Sequence, residues 1–301
     1  MQFGTLVTKK VLFEMKRILG YGVLVVVGIL AGIALQIWRA PDYTYYVTAF
    51  DYSEPAPESI ELKIDSKVLG EQRVINIALP KSYSESGETK YPVLYMPDGG
   101  LQEDFPHIVY SIQQLIDEGS IPEMIVVGIE NTDRKRDLTG PSTDAEDLKL
   151  LPTGGSSQNF RTFIADELIP EMESKYRCSD VRTVIGESLA GLFVVETALR
   201  QPALFNNYVA VSPSLWWADD CLVDECVELS EGVPAANRLF LCCANETDIY
   251  PQTTRLAENL EKNGVGFAWT FEPRMDLTHQ TIFRAMKKPG LRWIFEKLEQ
   301  E

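Results

Sequence analysis

The segment Gly186-Glu187-Ser188-Leu189-Ala190-Gly191 constrains the fold of this chain more than any other. The run VRTVI leads into it and reads as a strand, and the apolar stretch Leu189–Arg200 leaves it with helical spacing. A strand that passes into a helix with no intervening loop needs small residues where the two backbones approach. The pattern is G-x-S-x-G in all but its last position, where Ala190 stands and glycine follows one residue later. On such a turn the serine hydroxyl is exposed at the carboxyl end of its strand, placed to act as a nucleophile. A serine at an ordinary helix start would simply cap it. The strand before and the helix directly after favour the nucleophile.

The flanking sequence repeats this alternation. Ile60–Val68 and Arg73–Leu79 alternate apolar with polar residues, as half-buried antiparallel strands do. Short apolar runs then read as buried parallel strands at Val93–Met96, Met124–Ile129, Arg182–Ile185, Tyr208–Val211 and Leu239–Cys243, with a last strand at Phe267–Phe271. Helical patterns lie between them at Phe105–Leu115, Phe160–Tyr176, Leu189–Arg200 and Thr253–Asn263. The order predicts an α/β fold, a mostly parallel sheet with helices on both faces. In such sheets chemistry collects beyond the carboxyl ends of the strands.

The amino terminus is of another kind. Ile18–Trp38 is 21 residues without a charge, long enough to cross roughly 30 Å of hydrocarbon. Lys9, Lys10, Lys16 and Arg17 precede it and only Arg39 follows closely, which keeps the amino terminus in the cytoplasm and sends the rest across. No small-x-small cleavage site follows, so an uncleaved anchor is expected. The predicted organisation is a basic cytoplasmic segment 1–17, a transmembrane signal anchor 18–38, a juxtamembrane linker 39–58 containing the Pro-rich run SEPAPES, and a catalytic domain 59–301. The expected location is the cytoplasmic membrane, single-pass, with the domain on the extracytoplasmic, periplasmic side. The whole chain carries a net charge of −16, the wrong sign for general attraction to nucleic acid. Five cysteines are too few for a disulfide scaffold, and two histidines do not make a multi-histidine metal centre.

A serine hydroxyl needs a base, and histidine is the usual one. His107 lies in a predicted helix and reads as a packed or surface residue. His279 follows the last strand and precedes the terminal helix, and the chain order Ser, acid, His makes it the base. The acid belongs on the loop after LFLCC, where Glu246 and Asp248 both stand. Spacing alone leaves both open. Oxyanion donors are expected at the backbone of Leu189, after the nucleophile, and of Gly100 and Leu101 on the loop after the third strand, where Gly99 also allows close approach. Asn131, Asp133, Arg134, Arg136 and Asp137 form a polar cluster after the fourth strand, read as a solvated loop or as pocket residues. Trp216 and Trp217, after the sixth, either contact substrate or pack. Cys221 and Cys226 flank an acidic turn and can pair if exported; Cys178, Cys242 and Cys243 read as buried thiols.

The stretches RVINIALPKSY, YPVLYMPDGG, VVGIENTDRKRDLTGP, NFRTFIADELIPEMESKYR, GESLAGLF, AVSPSLWW and THQTIFRAM together resemble the esterase D-type branch of the α/β-hydrolases over about residues 60 to 300, in the family's order. The resemblance implies a carboxylic ester hydrolase with no cofactor, acting through an acyl-enzyme on Ser188 with His279 as base. The family's acid falls three residues past a glycine that ends the strand; Cys243 stands at that place, which selects Glu246 over Asp248. Glu187 stands where the family commonly has histidine, a change that bears on substrate fit. The resemblance also gives Arg134 a place in the substrate pocket. Relatives of this type include siderophore and feruloyl esterases. The expected partners are a small-molecule ester and the bilayer, with an acyltransferase or a catalytically inactive binding module as the alternatives.

Overall fold

The computed structural model describes residues 57–84 and 87–296. The predicted anchor and most of the linker lie outside them. Among the described residues no helix is long and apolar enough to cross a membrane.

Eight strands form one mixed sheet in the order β1-β2-β4-β3-β5-β6-β7-β8. They are β1 (Ile60–Ser66), β2 (Glu71–Ala78), β3 (Tyr91–Met96), β4 (Ile125–Ile129), β5 (Cys178–Glu187), β6 (Asn207–Val211), β7 (Arg238–Ala244) and β8 (Ala268–Arg274). The first two pair antiparallel, β2 pairs antiparallel with β4, and every pairing from β4 to β8 is parallel. The helices are α1 (Phe105–Asp117), α2 (Arg134–Leu138), α3 (Ala145–Leu150), α4 (Ser157–Phe163), α5 (Ile169–Lys175), α6 (Leu189–Arg200), α7 (Cys221–Ser230), α8 (Tyr250–Asn263) and α9 (His279–Phe295).

Alternation along each strand divides the core in two. Tyr95, Val127, Val184, Ala210 and Leu241 belong to one apolar layer, shared with Phe160, Phe193 and Val223 of α4, α6 and α7. Leu94, Val126, Ile185, Val209 and Phe240 belong to the other, shared with Ile108 and Ile112 of α1 and Ile282 and Met286 of α9. Every residue of β4 and β6 is buried, because helices cover both faces; this is why these strands lack alternation in the sequence. Gly290 brings α9 close to the sheet: a Cβ there would come within 2.9 Å of Phe240 and Val209 side-chain atoms.

Three local readings are corrected. The predicted helix over 160–176 is interrupted by a π turn at Ile164–Leu168, which aims Glu167 at the β1–β2 turn, where it accepts hydrogen bonds from Ser66 Oγ (2.5 Å) and the Lys67 amide (2.8 Å). The acidic turn expected between Cys221 and Cys226 is the helix α7, and both cysteines are free thiols. Five residues apart on a helix, they do not share a face. The polar cluster after β4 is partly helical, with Asp133 accepting the Arg136 amide as the cap of α2.

Candidate active site

Ser188 sits at the end of β5 with φ 60° and ψ −120°, a backbone conformation that L residues rarely adopt. The reason is local crowding. A Cβ on Gly186 would lie 2.7 Å from Ala190 main-chain atoms, and one on Gly191 would lie 2.8 Å from the Val211 carbonyl oxygen. The turn therefore needs glycine at 186 and 191, and the methyl of Ala190 fits because Gly186 opposite has none. The Ser188 amide donates to Val211 O (3.0 Å), and its carbonyl accepts from the Ser214 amide (3.1 Å). Ser188 Oγ lies 3.4 Å from Ser214 Oγ.

His279 opens α9 behind a capping box in which Thr278 and Thr281 exchange side-chain and backbone hydrogen bonds. Its Nδ1 is 2.5 Å from Glu246 Oε2. The other oxygen of Glu246 accepts from Ser212 Oγ (2.5 Å) and from the Ala244 amide (3.2 Å). Burial acts to raise the Glu246 pKa, but the hydrogen bonds from His279 and Ser212 outweigh it and hold the carboxyl below its usual range. His279 moves the opposite way: burial disfavours its cation, yet Glu246, Glu187 and Asp248 together raise its pKa above the ordinary imidazole value. Asp248, the alternative acid, is exposed and contributes only its distant charge.

Of the expected amide donors, Leu189 is the first residue of α6, so the helix leaves its N–H without an internal partner. On the opposite loop the Gly99 amide donates to Ile129 O (3.0 Å) and the Gly100 amide to Glu103 Oε2 (2.7 Å). Leu101, exposed at the tip, makes no hydrogen bond through its N–H among the described residues. A Cβ on Gly99 would lie 2.2 Å from the Ile129 nitrogen, so this glycine serves close packing on β4. In this structure the Gly100 N–H is thus engaged by a carboxylate.

The polar cluster splits in two. Arg134 makes a paired contact to Asp98, 2.6 and 2.9 Å, and Asn131 Nδ2 also donates to Asp98 (2.6 Å). Arg136 instead pairs with Asp137 and Glu71, and Asp137 accepts from Arg73 (2.5 Å), which is fully buried and lies over the Phe160 ring. Trp217 is a packing residue rather than an open aromatic face. It is buried, its indole N–H donates to Gly140 O (2.8 Å), and it lines a cavity of about 300 Å³ beside α6 with Arg161 and Glu196. Trp216 stays partly exposed, edge-on to it.

Sequence reasoning missed Ser212, Ser214 and Glu103. The run SPSLWW after β6 was the available signal for the two serines, since Ser212 takes a positive φ (40°) at the strand's end, a place where side chains face the site. Glu187 is the other surprise. One of its carboxyl oxygens is buried without a hydrogen-bond partner, and burial pushes its pKa up to about 8, with Asp104 and Asp98 raising it further against His279 and Arg134.

Residues 66–288 match the family model described as "Putative esterase". The chain belongs to this family. Among its relatives, the ferri-bacillibactin esterase BesA of Bacillus subtilis is 33% identical over 161 residues, 49% of this chain and 56% of that protein. The chain therefore spans little more than half the length of that relative. An IroE-like serine hydrolase from Shewanella oneidensis has the same fold with a TM-score of 0.72, at 30% identity over 79% of this chain and 80% of the other. The siderophore hydrolase EstB of Aspergillus nidulans superimposes with a TM-score of 0.67 at 19% identity, covering 80% of this chain and 96% of that one, which speaks for the fold alone.

Proposed function

We propose that this protein is a membrane-anchored serine esterase that hydrolyses carboxylic esters through an acyl-enzyme on Ser188. The observation that carries the reading is the hydrogen bond from His279 Nδ1 to a Glu246 carboxylate already fixed by Ser212, on the same sheet edge as a serine in a strained elbow. With Nδ1–H held by Glu246, the neutral imidazole keeps Nε2 as the free base. Nε2 takes the Ser188 proton as Oγ attacks the ester carbonyl. The amides of Leu189 and Leu101 are the unengaged donors for the oxyanion that forms. Collapse expels the alcohol, protonated by His279, and water repeats the sequence to release the acid. No cofactor enters these steps.

Family membership supports ester hydrolysis, and the names of the relatives point to siderophore-type esters as the first substrates to test. The uncharged span 18–38 and its basic flank support an anchor that places the domain 59–301 outside the cytoplasm, joined by the linker 39–58. The test is a panel of aryl, short-chain, feruloyl and siderophore esters assayed with the wild type and Ser188→Ala. Turnover that falls by roughly 10⁴-fold in the variant, with the fold intact, is the expected result. Turnover that survives the substitution rejects the reading.

A further inference from the structure

His107, which the sequence leaves as a packed residue, is buried in a chain of polar contacts between two helices. Its Nε2 is 2.9 Å from Asp104 Oδ1, its Nδ1 is 2.7 Å from Lys287 Nζ, and its carbonyl oxygen also accepts from Lys287 Nζ at 3.3 Å. Both His107 and Lys287 are buried, and the ring lies edge-on to Phe283 at 5.3 Å. With Lys287 as an ammonium, which offers donors alone, Nδ1 accepts and the ring proton sits on Nε2, donated to Asp104. Burial, with Lys287 and Arg284 nearby, lowers the His107 pKa against the pull of Asp104, consistent with a neutral ring.

The ends of this chain bear on the site. Asp104 precedes α1 and its amide donates to Asp98 O (3.0 Å), closing the loop that holds Gly99, Gly100 and Leu101. Lys287 lies on α9, two helical turns from His279, which begins that helix. The loop offering an oxyanion donor and the helix carrying the base come from distant parts of the sequence, and these contacts join them. A buried polar set of this kind is costly to leave half-satisfied and rigidifies its surroundings when complete.

We propose that Lys287, His107 and Asp104 form a buried relay that fixes the loop bearing Leu101 relative to His279, so that His107 and Lys287 are positioning residues for ester hydrolysis. This rests on the esterase reading above. The step it serves is sensitive to geometry, since small misplacement of a donor or base costs rate rather than affinity.

The chain has two histidines, so histidine-selective isotope labelling of the full-length protein gives two ring systems to follow by NMR. The relay predicts a neutral His107 with its proton on Nε2 that resists protonation below the ordinary imidazole range, and easier protonation of its Nδ1 in Lys287→Met, where that nitrogen no longer faces a cation. It also predicts that the downfield Nδ1–H signal of His279, bonded to Glu246, shifts or broadens in that variant. Both readouts stand without ester turnover, so they decide the relay even if the esterase reading fails. In turnover, Lys287→Met and His107→Leu should lower kcat by about ten- to a hundredfold with KM within about threefold. His107→Gln, whose amide supplies one acceptor and one donor, should keep kcat within about threefold of wild type. The double variant His107→Leu/Lys287→Met, which removes the buried polar groups together, should recover Tm and not kcat. A proton on Nδ1 of His107 in the wild type, or an unmoved His279 signal in Lys287→Met, overturns the proposal. So does a kcat that returns together with Tm in the double variant.

Discussion

Ser212 and His279 hold the two oxygens of Glu246 in different tasks. Ser212 anchors one oxygen to the end of β6, and the other is left to orient the imidazole. An aspartate would not span the same gap, because glutamate's extra methylene carries the carboxylate farther from the main chain. The raised pKa of His279 has a definite consequence for rate: the base must be unprotonated, so kcat/KM should fall as pH drops through a value above the ordinary imidazole pKa of about 6.5. Glu246→Gln removes the charge that favours the cation and favours the wrong tautomer. It should move this acid limb to lower pH and cut kcat by about a hundred- to ten-thousandfold, while Asp248→Asn costs only a few-fold. pH–rate profiles of the three proteins check this, and the reverse ranking would transfer the role to Asp248. The sequence narrowed the acid to two candidates because both lie on one loop after β7. Only the turn, in which the Glu246 amide donates to Ala244 O, separates a buried carboxylate from an exposed one.

At the scale of elements, the elbow explains why GESLAG departs from the usual pattern without losing its shape. Ala190 fills the space opposite Gly186, while Gly191 meets the end of β6. Gly186→Ala and Gly191→Ala should each destabilise the domain by about 1–3 kcal/mol through overpacking, whereas Ala190→Gly should cost no more than about 1 kcal/mol. Chemical denaturation of the three variants measures the difference. The parallel strands were legible because both faces are buried and their residues are continuously apolar, and α6 was legible because it follows β5 directly. The π turn was not, since the partner that Glu167 meets from it lies in a turn some hundred residues earlier in the chain. The helix α7 was hidden by its acidic residues, which face outward while Leu222, Val223 and Cys226 supply the buried side. The split of the polar cluster depends on Arg73, a long-range partner that no local pattern announces.

Across the whole molecule, charge and hydropathy divide the chain in the way its proposed location requires. The first 39 residues carry a net charge of +4 and the rest −20; under the proposed anchoring the basic flank would stay with the cytoplasmic face and the acidic domain would be exported. The full-length protein should remain in the membrane fraction after a carbonate wash. A soluble mature form beginning near residue 40 would contradict the anchor without touching the chemistry. The esterase account itself is tested most directly by treating the full-length protein with a fluorophosphonate and mapping the adduct by peptide mass spectrometry. The account predicts stoichiometric modification of Ser188 alone, lost in His279→Ala because the hydroxyl then has no base. An adduct on another serine, or an unmodified Ser188 in protein that hydrolyses esters, would contradict it.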